Sequence, residues 1–376
     1  MIIFIIGTRS EAIKFSTIIR ECERRNLPFK ILNTGQHGQQ IMIDWMKKLE
    51  LPEPEINIGS SLRKLWVKKG IFGSLQIFSY WSGTTFLKLI SIFRKEKPKI
   101  VFYQGDTIAV PITAIAARMS LKGILLAHRE SGMRSHRLLE PIPEEFNRRL
   151  ADKFTDIHFC PVKSAVRNLL KEKVHGEIHY VGDPIVEIVE YVLKKFKKQR
   201  KFRKNKDFVA VSIHRFENIN NKLKMFNLFK VLENCPFNVL FPLNENTRRK
   251  FERYKLLEKM KNLNHVNITN PIPYIEWINT IKNAKAIITD SGGLQEEAHV
   301  MKIPCILTRN VSEWEELIDA GVSVLAGFNV EKILGYLEDI KNKGSFYKKV
   351  KKTKCLLGDG KATERIVNVL EEKLKV

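Results

Sequence analysis

The sequence predicts an α/β protein of two similar-sized halves, each a parallel β-sheet covered by helices on both faces. Three observations carry this. Short unbroken apolar runs, such as MIIFIIG at the start of the chain, are the pattern of strands buried on both sides. These runs alternate with longer segments of helical periodicity, as crossover connections between parallel strands require. The alternation then restarts after a basic run ending at Lys206, in a chain whose 376 residues suffice for two or three domains.

The elements follow in order. MIIFIIG is a strand, and a helix runs from about Glu11 to Arg25. FKILNTG is the second strand, and Gln36 to Leu49 the next helix. Further strands are expected at Ile100–Gln104, Ile124–His128, Ile157–Cys160 and Ile178–Val181. FVAVSIH (Phe208–His214) opens the second set, followed by Val239–Pro242, Val266–Ile268, Ala286–Thr289, Pro304–Leu307 and Val322–Leu325. Domains are therefore expected at 1–182 and 183–360, with the boundary between Gly182 and Lys206. An amphipathic stretch, Thr363–Leu374, closes the chain and could belong to either half. Residues 65–93 (LWVKKGIFGSLQIFSYWSGTTFLKLISIF) are aromatic-rich and interrupted by glycines; a core or interface helix is expected, with a membrane-surface helix as the alternative.

Composition sets bounds on function. With 44% apolar and 28% charged residues, a buried core is attainable and wholesale disorder is excluded. No stretch reaches the ~20 apolar residues that span a bilayer. The apolar start meets Arg9 at once and has no basic leader, so no signal peptide is expected. Five scattered cysteines without CxxC spacing argue against a disulfide framework or structural zinc and fit a reducing cytoplasm. The net charge of +24 is concentrated in Lys194–Lys206 and Lys341–Lys354. Such runs read as solvated helix ends and linkers, and no RNA- or DNA-binding motif accompanies them, so no nucleic-acid partner is expected.

Chemistry collects where strands end. Gly7-Thr8-Arg9-Ser10-Glu11 after the first strand is not a dinucleotide fingerprint; it places a guanidinium, whose planar fork suits phosphate, at the edge where α/β sheets bind ligands. Asp106 and Glu130 each follow a strand, and Glu144 opens a helix in PEEFNR. Carboxylates brought to one rim can share acid and base roles. In the second half His214 ends the first strand, and Thr289-Asp290-Ser291-Gly292-Gly293 leads into a helix whose free N–H groups and dipole make an anion site. Glu297 lies about one turn further on, within reach of sugar hydroxyls, and Trp277 offers a flat face for a base. No Walker lysine, metal-ligand cluster or nucleophile elbow is present.

Together, GTRSEAIK, TGQH, QGDT, the Arg-Glu-Ser-Gly-Met-Arg-Ser run, PEEFNR, HRxEN, TDSGGLQEEA and GDGKA resemble the non-hydrolysing UDP-N-acetylglucosamine 2-epimerase family, from residue 7 to residue 362. The resemblance implies two facing Rossmann-like domains in the glycosyltransferase-B arrangement, with UDP-sugar in the cleft and the helix at 361–376 packing back on the first domain. It implies a homodimer, with no redox cofactor and no metal. Asp106, Glu130 and Glu144 match carboxylates implicated in proton transfer, and His214 matches a histidine that assists the diphosphate leaving group. Arg9, Ser291, Gly292 and Gly293 match diphosphate contacts, Glu297 the ribose ligand, Trp277 an aromatic beside the uracil and Lys14 a site lysine. Gln36, His37 and Gln39 fall in the segment around an activating UDP-GlcNAc site of bacterial members.

The departures bear on substrate. The family's GTRPE is GTRSE here, HVEAGLR is His128-Arg129-Glu130-Ser131-Gly132-Met133-Arg134, and Thr-Glu-Arg-Pro-Glu is Ser312-Glu313-Trp314-Glu315-Glu316. The last change removes a guanidinium expected at the cleft rim. Together with Gly182-Asp183, where Gly-Asn is common, it is similar to relatives that epimerise UDP-2,3-diacetamido-glucuronic acid, for whose C6 carboxylate Arg134 and Arg137 are the candidate partners. The expected activity is epimerisation of UDP-N-acetylglucosamine at C2, by loss of UDP to a 2-acetamidoglucal and re-addition. The glucuronate nucleotide is the alternative substrate. A UDP-sugar glycosyltransferase, or a basic nucleic-acid or membrane-surface protein on the same scaffold, are the remaining alternatives.

Overall fold

The computed structural model describes residues 1–36, 39–59, 71–137, 143–196 and 207–375, without the side chains of 71–79. The predicted His37, the stretch 65–70 and most of the first basic run, 197–206, lie outside the described residues. The chain forms two compact units, residues 1–188 with 358–376 and residues 189–357.

Unit 1 runs β1 (Ile2–Ile6), α1 (Arg9–Arg24), β2 (Phe29–Asn33), α2 (Gln39–Lys48), β3 (Ile56–Asn57), α3 (Ile71–Glu96), β4 (Ile100–Gln104), α4 (Ala109–Ser120), β5 (Leu125–Arg129), α5 (Glu144–Phe154), β6 (Ile157–Cys160), α6 (Lys163–Glu172) and β7 (Glu177–Tyr180). Helix α7 (Ile185–Lys195) leads out of it. The strands form one parallel sheet in the order β3-β2-β1-β4-β5-β6-β7. Its centre is apolar through both faces, since β1 and β4 are buried at every residue. One face carries a ring cluster in which Phe15 of α1 meets Phe102 edge-on at 4.9 Å and Phe102 packs on Phe159 at 5.5 Å. Helix α1 starts at a capping box. Thr8 Oγ1 accepts the Glu11 N–H at 3.3 Å, and the Glu11 carboxylate accepts the Thr8 N–H at 2.9 Å.

From residue 71 on, the aromatic stretch is one helix. α3 passes through Gly83 unbroken, buries Trp81, Leu89 and Phe93, and packs on α4, while Tyr80 and Leu87 remain exposed. Its described part is a core helix of unit 1. No helix among the described residues is long and apolar enough to cross a membrane.

Unit 2 runs β8 (Phe208–Ser212), α8 (Phe216–Ile219), α9 (Lys222–Glu233), β9 (Asn238–Pro242), α10 (Glu245–Arg253), α11 (Leu257–Lys261), β10 (Val266–Thr269), α12 (Tyr274–Ile281), β11 (Ala286–Thr289), α13 (Gly292–Val300), β12 (Cys305–Leu307), α14 (Glu315–Asp319), β13 (Ser323–Leu325), α15 (Val330–Lys341) and α16 (Ser345–Lys352). Its parallel sheet has the order β10-β9-β8-β11-β12-β13. Asn221, Asn244 and Asn329 cap α9, α10 and α15, each accepting the N–H three residues on, which turns the chain from strand into helix at defined points. The second basic run belongs to the end of α15 and to α16, whose Phe346 and Val350 are buried while its lysines lie on the other side.

The chain re-enters unit 1 at Gly358, and α17 (Ala362–Lys375) packs on α1. Arg25 at the end of α1 bonds Asn368 Oδ1 at 2.7 Å and Glu371 Oε2 at 3.0 Å, and Thr363 Oγ1 meets Thr17 Oγ1 at 2.9 Å. In both sheets the strand order reverses at the first strand of the unit. The crevice beyond the carboxyl ends of β1 and β4, and of β8 and β11, is where such sheets bind ligands.

Candidate functional site

The switch point of unit 1 is lined with ionised groups. β4 is followed by Gly105, whose φ of +72° turns the chain so that Asp106 stands beyond the sheet. β5 is followed by Glu130, a non-glycine residue at φ +65°. Lys14, one turn into α1, donates to Glu130 Oε1 at 2.5 Å, and Arg129 Nη1 reaches the same oxygen at 2.6 Å. Burial alone would push the Glu130 carboxyl up, but the adjacent Lys14 and Arg129 charges outweigh it and hold it at about 2. Arg129 is itself anchored to the buried Asp183. Asp106 pairs with the Arg148 guanidinium, and its carbonyl accepts from Asn147 Nδ2 at 2.8 Å. Both partners come from PEEFNR in α5, the helix that Glu144 opens. Asp106, Glu130, Lys14 and the start of α5 thus belong to one cluster.

The β1 turn adjoins it. Glu11 is buried, accepts the Gly7 N–H at 2.6 Å and the Thr107 hydroxyl at 2.8 Å, and so ties the β1 turn to the β4 turn. Burial pushes its carboxyl up to about 7 against those hydrogen bonds. Arg9 is exposed, with its guanidinium 5.5 Å from the Trp45 ring centroid. Gln36 packs beside Gly7, and Gln39 is exposed at the start of α2.

Unit 2 carries the second group. Ser291 caps α13 through its hydroxyl, and Gly292 and Gly293 form the helix start. Asp290, fully buried, accepts the His214 and Arg215 N–H groups at 3.1 and 2.9 Å and the Asn218 amide at 3.0 Å. It thereby binds the end of β8 to the end of β11, and His214 Nδ1 lies 3.3 Å from the same carboxylate with the ring half exposed. A cavity of about 180 Å³ beside them is lined by Val211, Ser212, Pro242, Pro271, Ile272 and Trp277. It is smaller than the roughly 300–1,000 Å³ of a pocket for a whole ligand, and suits a single planar ring. Glu297, buried on α13, lies close enough to Tyr274 for its charge, after burial, to push that phenol well above its usual range. Tyr274 and Trp277 share α12.

Trp314 is 1% exposed and forms part of the core of unit 2, while the neighbouring Glu313 pairs with Arg309 at 2.8 Å against Gly292. One expectation needs correction. Arg134, offered as a partner for a sugar carboxylate, is buried and donates to Asp152 at 2.7 Å and Glu172 at 2.8 Å. Arg137 is exposed. Sequence reading passed over Glu11 and Asp290 because each lies in a turn motif whose interest seemed to rest on its neighbours. It passed over Asp152 because a lone aspartate in a polar helix has no signal. Among the described residues no group of His, Cys, Asp or Glu side chains could hold a metal ion.

The sequence profile described as UDP-N-acetylglucosamine 2-epimerase matches residues 20–371. A UDP-N-acetylglucosamine 2-epimerase of Methanocaldococcus jannaschii is 33% identical over 97% of this chain and 97% of that protein. A UDP-2,3-diacetamido-2,3-dideoxy-D-glucuronate 2-epimerase of Pseudomonas aeruginosa is 29% identical over 98% of this chain and 99% of its own length. The solved structure of a M. jannaschii UDP-GlcNAc 2-epimerase in complex with UDP-GlcNAc and UDP superimposes with a TM-score of 0.83 at 33% identity, covering 99% of both chains.

Proposed function

The chain belongs to the UDP-N-acetylglucosamine 2-epimerase family, and on that premise we propose that it inverts C2 of UDP-N-acetylglucosamine to give UDP-N-acetylmannosamine. The observation that supports this best is the pair of carboxylates, Asp106 and Glu130, on adjoining turns of unit 1 and each held by a cation. The C2 proton of a 2-acetamido sugar is not α to a carbonyl and resists direct removal. When the C1–O bond to UDP breaks, positive charge develops at C1 and the C2–H bond becomes acidic, so elimination gives UDP and a 2-acetamidoglucal. Re-addition of UDP, with a proton delivered to the opposite face of C2, completes the inversion.

Each part of this chemistry has a residue suited to it. Loss and return of the proton on opposite faces call for two carboxyl groups, drawn from the three candidates Asp106, Glu130 and Glu144. Glu130, ionised at neutral pH, is also suited to stabilise positive charge at C1. Negative charge on the departing diphosphate calls for preorganised donors. Arg9, His214 and the N–H groups at Ser291, Gly292 and Gly293 fill that role. Trp277 and its cavity take the uracil ring, and Glu297 the ribose hydroxyls. Lys14 orients Glu130. The working form is a homodimer, and Gln36, His37 and Gln39 form an activator segment.

The test is to incubate the purified protein with UDP-GlcNAc and follow the sugar H1 and H2 signals by NMR. Conversion to a mixture of the two 2-epimers is expected. An unchanged sugar, or its transfer to an added acceptor, would refute the proposal. The P. aeruginosa relative keeps the glucuronate nucleotide as a second reading. Arg134 is committed to Asp152 and Glu172, so of the two candidate partners for a C6 carboxylate Arg137 is the one at the surface. UDP-GlcNAc is preferred because the matching profile and the M. jannaschii relative are described by that activity, and side-by-side specificity constants decide between the two.

A further inference from the structure

Behind the carboxylate turns of unit 1 lies a buried polar network that the chemistry above does not use. Its hub is Asp152 on α5, fully buried and held well below the usual carboxylate range, despite burial, by His128 and Arg134. Oδ1 accepts from His128 Nδ1 at 2.7 Å and from the Ser131 hydroxyl at 2.5 Å. Oδ2 accepts from the Gly132 N–H at 3.1 Å and from Arg134 at 2.7 Å. His128 Nε2 faces the Gly105 carbonyl at 3.0 Å. The ring therefore has an acceptor at each end.

Placement gives the network its meaning. Gly105 immediately precedes Asp106, and Ser131 and Gly132 immediately follow Glu130. One carboxylate thus grips the Glu130 turn by two donors and, through the His128 ring, the Asp106 turn by its carbonyl. Stability alone is a poor reason for such a feature. Burying several charged and polar groups together generally gains little over well-packed apolar side chains, because desolvation offsets the attraction. What a satisfied network of this kind does provide is a single geometry.

We propose that Asp152 is a positioning residue, acting through His128 and Ser131 to fix the separation of the turns that carry Asp106 and Glu130. This rests on the epimerase proposal, in which the two carboxylates act on one sugar ring. The test uses two variants of the full chain. His128→Phe keeps a ring and removes both of its hydrogen bonds, and Ser131→Ala removes one donor to Asp152. Each is assayed for kcat and KM with UDP-GlcNAc, with kcat expressed per UDP-binding site counted by calorimetry, alongside thermal unfolding.

A misplacement near 1 Å costs roughly 100-fold, so His128→Phe should lose about that much in kcat, and Ser131→Ala roughly tenfold, with KM and UDP affinity within about threefold of wild type. Unchanged kcat per site in both variants, or a loss confined to KM, would overturn the positioning role. If His128→Phe does not fold, the kcat of Ser131→Ala decides alone. A wild-type protein that fails to turn over UDP-GlcNAc would refute the epimerase proposal and this role with it. Wild-type turnover with unimpaired variants would overturn only the positioning.

Discussion

Glu130 sits in the left-handed region of backbone space, a conformation that costs a non-glycine residue on the order of 1–3 kcal/mol and persists only where its surroundings enforce it. Here Lys14 and Arg129 enforce it, and the same contacts keep the carboxylate charged. Glu130→Gln should therefore lower kcat by roughly 100- to 10,000-fold, the range for a positioned acid–base group, while UDP binding on unit 2 is retained. His214→Ala should cost about 100- to 1,000-fold, as removal of one preorganised donor does. Single-turnover kinetics at saturating UDP-GlcNAc measure both. Glu11 makes a different prediction, about stability. Its folded pKa of about 7 lies above the ordinary 4.5 of a glutamate carboxyl. The native state therefore holds a proton that the unfolded chain releases, and this contribution is complete below the unfolded pKa and is lost as pH rises through the folded one. Glu11→Gln keeps an acceptor for the Gly7 and Thr8 N–H groups and cannot ionise. Its stability relative to wild type should rise between about pH 4.5 and pH 7, by at most roughly 3 kcal/mol. Urea denaturation at several pH values reads this directly, and a difference independent of pH would contradict it.

At the scale of elements, the proposed nucleotide site rests on two short helices of unit 2. α12 presents Trp277 to the cavity, so Trp277→Ala should weaken UDP binding by about 1–3 kcal/mol, the usual range for a base stacked on an aromatic ring, with little change in kcat at saturation. Calorimetric titration with UDP measures it, and unaltered affinity would remove the uracil from that cavity. The start of α13 is buttressed from behind by the ion pair of Arg309 and Glu313, whose side chains are 4% and 7% exposed. Glu313→Ala would leave the guanidinium buried without its countercharge, which typically costs about 3–5 kcal/mol. A urea midpoint close to wild type would show that Arg309 finds another partner. Short or interrupted elements were also where sequence patterns were least exact. β3 was missed because a two-residue strand at the sheet edge has no periodicity to detect. The glycines of 65–93 read as interruptions, yet an isolated glycine costs a long helix only about 1 kcal/mol, and α3 absorbs Gly83.

At the scale of the whole molecule, the two parallel sheets were legible because central strands of such sheets are buried on both faces and so appear as continuous apolar runs. The groups at the strand ends were legible for a related reason, since polar residues directly after an apolar run fall at the rim where ligands bind. What sequence could not show is which charges meet. Arg148 reaches Asp106 across 42 positions, and His128 reaches Asp152 across 24. Likewise nothing in Ser312-Glu313-Trp314 reveals that the tryptophan turns inward. The central claim is that the C1–O and C2–H bonds both break during turnover, and it is tested most directly by running the reaction in heavy water. UDP-N-acetylmannosamine formed there should carry deuterium at C2, with small amounts of UDP and 2-acetamidoglucal released. An epimerised product that retains its original hydrogen at C2 would contradict the account.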